Sequence, residues 1–89
     1  MGYTKNAVIV GATTGIGKAL AELLISDGWR VGISGRRLEL LEEFKQCHGE
    51  RVVCRQMDVN HPEEVMTGFD EFVRLLDGVD LVVISAGTG

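Results

Sequence analysis

The chain has 89 residues, 45% of them hydrophobic and 25% charged, with a net charge of −4. A chain of that size makes one small domain or part of a larger one, and buries roughly 60–65% of the surface it would expose unfolded. The acidic balance argues against a nucleic-acid surface, which would show a basic patch, and no apolar run approaches the roughly 18 residues of a membrane span. The first element is a short run of buried-strand character, Asn6 to Val10, near-continuously apolar as in a parallel sheet covered on both faces. A glycine-rich turn follows, Gly11-Ala12-Thr13-Thr14-Gly15-Ile16-Gly17. Its glycines let the backbone approach an anion, the helix start behind it offers free N–H groups, and Thr13 and Thr14 add hydroxyl donors.

The first helix is predicted over Ile16 to Ser26, with Ile16, Ala19, Leu20, Leu23 and Leu24 on its inner face and Gly28 as its left-handed stop. A second strand runs Arg30 to Ser34 and ends at Gly35. The second helix, Arg37 to Cys47, carries Leu38, Leu41 and Phe44 at helical spacing and stops at Gly49. A third strand covers Val52 to Met57 and closes at Asp58-Val59. The third helix opens with Asn60 as a cap, Pro62 in its first turn and Glu63-Glu64 where acids suit the helix dipole. Its expected stripe is Val65, Met66, Phe69, Phe72, Val73 and Leu76, broken by Asp77-Gly78. Leu81 to Ile84 is the fourth strand. The order β-α-β-α-β-α-β defines an α/β class, and the expected sheet is a parallel one of order 3-2-1-4, half of a doubly wound fold. Ligands of such sheets bind outside the carboxyl ends of the strands where the order reverses, which is where the glycine turn and Ser85-Ala86-Gly87 both fall.

The spacing G-x-x-x-G-x-G between a strand and an amphipathic helix resembles the glycine motif of the short-chain dehydrogenase/reductase family, usually T-G-x-x-x-G-I-G. Gly11, Gly15, Ile16 and Gly17 fit, while Val10 stands where the family has threonine. The resemblance covers the whole chain and implies the dinucleotide-binding, N-terminal half of a longer oxidoreductase. It also implies that Asp58 and the backbone of Val59 contact adenine, although Asp58 read by itself is a plain turn residue. Ile84-Ser85-Ala86-Gly87 stands in place of the family's N-N-A-G. The two asparagines are missing, but Ser85 keeps a polar side chain and Ala86 and Gly87 keep the small profile that a cofactor ribose needs.

Arg36 and Arg37 follow the second strand, about 20 residues after the glycine turn, where an acid would hold the ribose of NAD or an arginine the 2′-phosphate of NADP. No carboxylate stands at the strand tip, and a guanidinium meets a phosphate with two parallel hydrogen bonds. NADP(H) is therefore the expected cofactor, with Glu39 a competing partner for either arginine. Cys47 and Cys54 form no metal-ligand spacing with His48 or His61, so no metal site is expected. Reduced thiols and the lack of a signal-peptide h-region give a cytoplasmic expectation.

The family's catalytic tyrosine, four residues before a lysine, has no counterpart in these residues: the one tyrosine, Tyr3, has Ala7 four positions on. No catalytic residue is assigned, and the expected parent acts on a small carbonyl or alcohol substrate. Two other readings stay open, a dinucleotide sensor without catalysis and a structural α/β module with an empty crevice. The apolar fourth strand has no expected neighbour on its outer side, so a homo-oligomer joined there is also expected.

Overall fold

The computed structural model describes residues 5–11, 15–58 and 60–84. Among them, strands β1 (Asn6–Val10), β2 (Arg30–Gly35), β3 (Val52–Gln56) and β4 (Leu81–Ile84) alternate with helices α1 (Gly15–Ser26), α2 (Leu38–His48) and α3 (Pro62–Leu76). The strands pair in parallel in the order β3-β2-β1-β4. Parallel strands need a crossover of a dozen or more residues; α1 and α2 link adjacent strands, and α3 carries the chain from β3 across the sheet to β4 beside β1. This is the α/β, order 3-2-1-4 sheet that the strand and helix pattern predicts.

Every residue of β1 is buried, because helices cover both of its faces. On one face Ile9, Val31, Ile33 and Val52 pack under Ala21 and Ile25 of α1 and Leu41 and Phe44 of α2. On the other, Val8, Val10 and Met57 pack under Phe72 and Leu76 of α3. Gly32 in the middle of β2 permits that second contact. A Cβ there would stand 2.7 Å from the Phe72 ring, and Phe72 is completely buried.

Polar ties hold the amino-terminal end of β1 to the turn after α3. Asn6 is buried and its Nδ2 donates to the carbonyls of Leu76 (2.7 Å) and Gly78 (3.1 Å). Its backbone N–H donates to the Asp80 carboxylate at 2.9 Å. Asp77 ends α3 in the left-handed region at φ 59°, a conformation that Asp tolerates better than most residues.

Two helical stripes differ in phase from the sequence expectation. In α1 the buried residues are Gly17, Ala21 and Ile25, with Leu20 and Leu24 packed beside them, whereas Ile16 is 81% and Leu23 65% exposed. Gly17, Leu20, Ala21, Leu24 and Ile25 keep three- and four-residue spacing just as well. A helix apolar on most sides leaves its phase undecided. In α3 the inner stripe is Gly68, Phe72 and Leu76, flanked by Val65 and Phe69, while Met66 is 70% exposed. The helix is capped at His61 rather than Asn60, without a side-chain hydrogen bond. The Asn60 N–H itself donates to Asp58 Oδ1 at 2.9 Å, and the His61 N–H to the Asp58 carbonyl at 3.0 Å.

Candidate functional site

The register of the sheet brings three strand ends together. Val10 lies opposite Ser34, and the Gly11 N–H donates to the Ser34 carbonyl at 2.8 Å, while the Met57 N–H donates to the Gly35 carbonyl at 2.9 Å. Gly11, the β2–α2 loop and the residues leading to Asp58 thus form one rim along the carboxyl edge of β1, β2 and β3. Gly11 has φ 89°, a conformation that costs any L residue with a Cβ. Thr13, Thr14, Val59, Ser85, Ala86 and Gly87 lie outside the described residues, as does Tyr3. Gly15 opens α1, Ile16 is exposed and Gly17 is buried.

Arg36 and Arg37 are both exposed. Arg37 is the N-cap of α2, with no side-chain cap, and its carbonyl accepts from Leu40 at 3.2 Å and Leu41 at 3.3 Å. Two guanidinium groups therefore stand at the start of an 11-residue helix, whose free N–H groups and dipole also favour an anion. Glu39 does not neutralise them. The ion pairs among the described residues are Arg55–Glu71 and His61–Asp58, so no acid lies within 4 Å of either arginine.

Asp58 is half-buried, one oxygen held by the Asn60 N–H and the other 3.8 Å from His61 Nε2. His61 is thus drawn to the rim as a neighbour of Asp58, which its sequence position does not reveal. His48, by contrast, stacks at a tilt on Phe44 with ring centres 4.4 Å apart, away from the strand ends. Two polar groups at the rim carry no sequence signal. The Ser34 hydroxyl is fully buried without a hydrogen-bond partner, and Gln56 Nε2 donates to the Arg36 carbonyl at 2.9 Å.

A nucleotide fits this rim on three counts: a glycine backbone at positive φ, an unpartnered hydroxyl at the end of β2, and two unpaired arginines at a helix start. An open depression of about 580 Å³ lies elsewhere, lined by Gly28, Arg30, Lys45, Arg51 and Val52 at the amino ends of β2 and β3. Two of its cations serve backbone carbonyls, Lys45 that of Val52 at 2.8 Å and Arg30 that of Leu75 at 3.5 Å, and the acid Glu50 lines it too. Among the described residues no group of His, Cys, Asp and Glu side chains could hold a metal ion, and no helix is long and apolar enough to cross a membrane.

Comparison with known proteins agrees with this geometry. A family model described as short chain dehydrogenase matches residues 5–89. A 3-oxoacyl-[acyl-carrier-protein] reductase of Aquifex aeolicus is 36% identical over 93% of this chain, which covers 35% of that protein. A solved structure from Aeromonas hydrophila, assigned to the short chain dehydrogenase/reductase oxidoreductases, superposes with a TM-score of 0.91 at 32% identity, covering 96% of this chain and 40% of that one. A 3-ketoacyl-(acyl-carrier-protein) reductase of Brucella melitensis, solved in complex with NADH, has the same fold, with a TM-score of 0.83 at 23% identity over 88% of this chain and 32% of that one. The chain therefore spans about a third of the length of the curated relatives it matches.

Proposed function

The chain belongs to the short-chain dehydrogenase family, whose members bind a nicotinamide cofactor, and from that membership we propose that it forms the NADP(H)-binding portion of an oxidoreductase acting on a small carbonyl or alcohol. The observation that carries the choice of NADP(H) is the unpaired Arg36–Arg37 step at the start of α2. In this reading Gly11, Gly15, Ile16 and Gly17, with Thr13 and Thr14, hold the pyrophosphate, and Asp58 and Val59 hold the adenine. Arg36 and Arg37 grip the 2′-phosphate, and Ser85, Ala86 and Gly87 let the ribose pass. When bound, the nicotinamide supplies or accepts the hydride. The chain's own part is to bind and orient.

Proton exchange at the carbonyl oxygen needs a placed acid, and the family resemblance assigns that role to a tyrosine four residues before a lysine, a pairing that these 89 residues do not contain. Hydride transfer then requires groups from outside the chain. A cytoplasmic setting belongs to the same reading and is supported by two free cysteines. So does a homo-oligomer, supported by β4, which pairs with β1 on one side only among the described residues and leaves Ile84 67% exposed.

The test is to titrate NADPH and NADH against the chain and against Arg36→Ala with Arg37→Ala. A charge-assisted hydrogen bond contributes about 1.5–3 kcal/mol, so the double variant should lose at least about tenfold in NADPH affinity with little change for NADH. Equal affinity of the unaltered chain for both cofactors would refute the assignment of NADP(H).

A further inference from the structure

We propose that Gln56 is a positioning residue for recognition of the adenosine phosphate, acting through Arg36. The proposal rests on the reading of Arg36 and Arg37 as the 2′-phosphate grip and adds to it what holds the grip in place. Arg36 sits between two residues whose backbone is already fixed. Before it, the Gly35 carbonyl accepts from the Met57 N–H at 2.9 Å, and after it, the Arg37 carbonyl accepts from Leu40 and Leu41 in the first turn of α2. The Arg36 peptide is the open link between strand and helix. Gln56 closes it, with Nε2 donating to the Arg36 carbonyl at 2.9 Å across 20 positions of sequence.

The chemistry of that bond suits an anion site in two ways. Ordering a loop peptide costs backbone entropy, and a peptide already held by Gln56 spares that cost when the arginine it carries meets a phosphate. A free carbonyl oxygen is also a partial negative charge beside an incoming anion. An amide donor engages that oxygen and adds no charge of its own. A carboxylate at position 56 could neither donate to the carbonyl nor stay neutral, so glutamine, and not glutamate, meets both demands. Because the bond is exposed, it contributes little to folding, and an effect on the phosphate should stand apart from an effect on stability.

The experiment compares five forms of the chain: unaltered, Gln56→Met, Gln56→Glu, Arg36→Ala and the double variant of Gln56→Met with Arg36→Ala. Methionine keeps the length of the side chain and removes the donor. Affinities for NADPH and NADH are measured by calorimetry, and amide hydrogen exchange is followed at Arg36, Arg37 and Leu38. Gln56→Met should weaken NADPH by about three- to tenfold, the size of one modest hydrogen bond, leave NADH within about twofold, and speed exchange at Arg36 and Arg37. In the Arg36→Ala background the same change should cost no further NADPH affinity, since residues acting through one group are not additive. Gln56→Glu should lower NADPH affinity further than Gln56→Met. Equal loss for both cofactors, no loss for NADPH, or a full additional loss on top of Arg36→Ala would overturn the role of Gln56 while leaving the arginine grip standing. An unaltered chain that binds NADPH no better than NADH would overturn the grip itself, and Gln56 with it.

Discussion

Strand β1 has a neighbour on each side, and the two flanks differ. Towards β2 and β3 the sheet is closed: Val31, Ile33 and Val52 are covered by α1 and α2, and Phe72 fills the space above Gly32. Towards β4 it is open. Leu81, Val82 and Ile84 are exposed, as are Ile16 and Leu23 of α1 and Met66, Val73 and Leu75 of α3. The residues on both sides are equally apolar. Burial here follows from what the topology places alongside, and composition does not decide it. The closed flank also carries the rim where Gly11, Arg36 and Asp58 meet, so the candidate site stands on the better-packed part of the molecule. A binding rim gains from that, because its groups must be held in place before the ligand arrives.

The closed flank should be the more sensitive of the two. Gly32→Ala drives a methyl group into the Phe72 ring, 2.7 Å from where its Cβ would stand, and such overpacking costs about 1–3 kcal/mol. In a domain whose total stability is of the order of 5–15 kcal/mol, a clear fall in the urea midpoint should follow. A midpoint unchanged from the unaltered chain would mean that α3 does not pack on β2 as described.

On the open flank, Ile84→Lys should change stability by less than about 0.5 kcal/mol, because it replaces a side chain that is 67% exposed. Lysine on an edge strand discourages pairing with another strand. Sedimentation should then show less self-association than in the unaltered chain, with no loss of secondary structure. Self-association unchanged from the unaltered chain would show that copies do not join at β4.

The same comparison explains what the sequence revealed. Strands β1 and β2 are runs of branched apolar residues between glycine-rich turns, and nothing else in a chain of this composition competes with them as strands. Their order followed from connection length and the glycine turn. The phases of α1 and α3 did not follow. Ile16, Leu23, Met66 and Val73 look like core residues because they are apolar at helical spacing, yet they lie outside the covered stripe. The Asn60 cap did not follow either: His61 takes that place and the Asn60 N–H meets the Asp58 carboxylate instead, a bond between near neighbours that leaves no periodic trace.

Of the candidate site, Gly11, Gly15, Gly17, Arg36 and Arg37 stand out in the sequence because glycine spacing and adjacent charges after a strand point to an anion. Asp58 read alone is a plain turn residue and is singled out only by the family resemblance. Ser34 and Gln56 do not stand out. A serine inside a strand and a glutamine at its end are ordinary residues, and only the sheet register sets one beside Val10 and the other against Arg36.

In the function proposed above, the carboxyl ends of β1, β2 and β3 hold a phosphorylated adenosine through the glycine turn and the arginine pair. The most direct measurement is an amide chemical-shift titration of the chain with adenosine 2′,5′-bisphosphate, which carries both phosphates and no nicotinamide. Shifts should gather at Gly11, Gly15 to Gly17, Gly35 to Leu38 and Met57 to Asp58, with β4 and the amino ends of the strands unmoved. Shifts centred on Arg30, Lys45 and Arg51 in the depression at the opposite end, or none at all at millimolar ligand, would contradict binding at this rim.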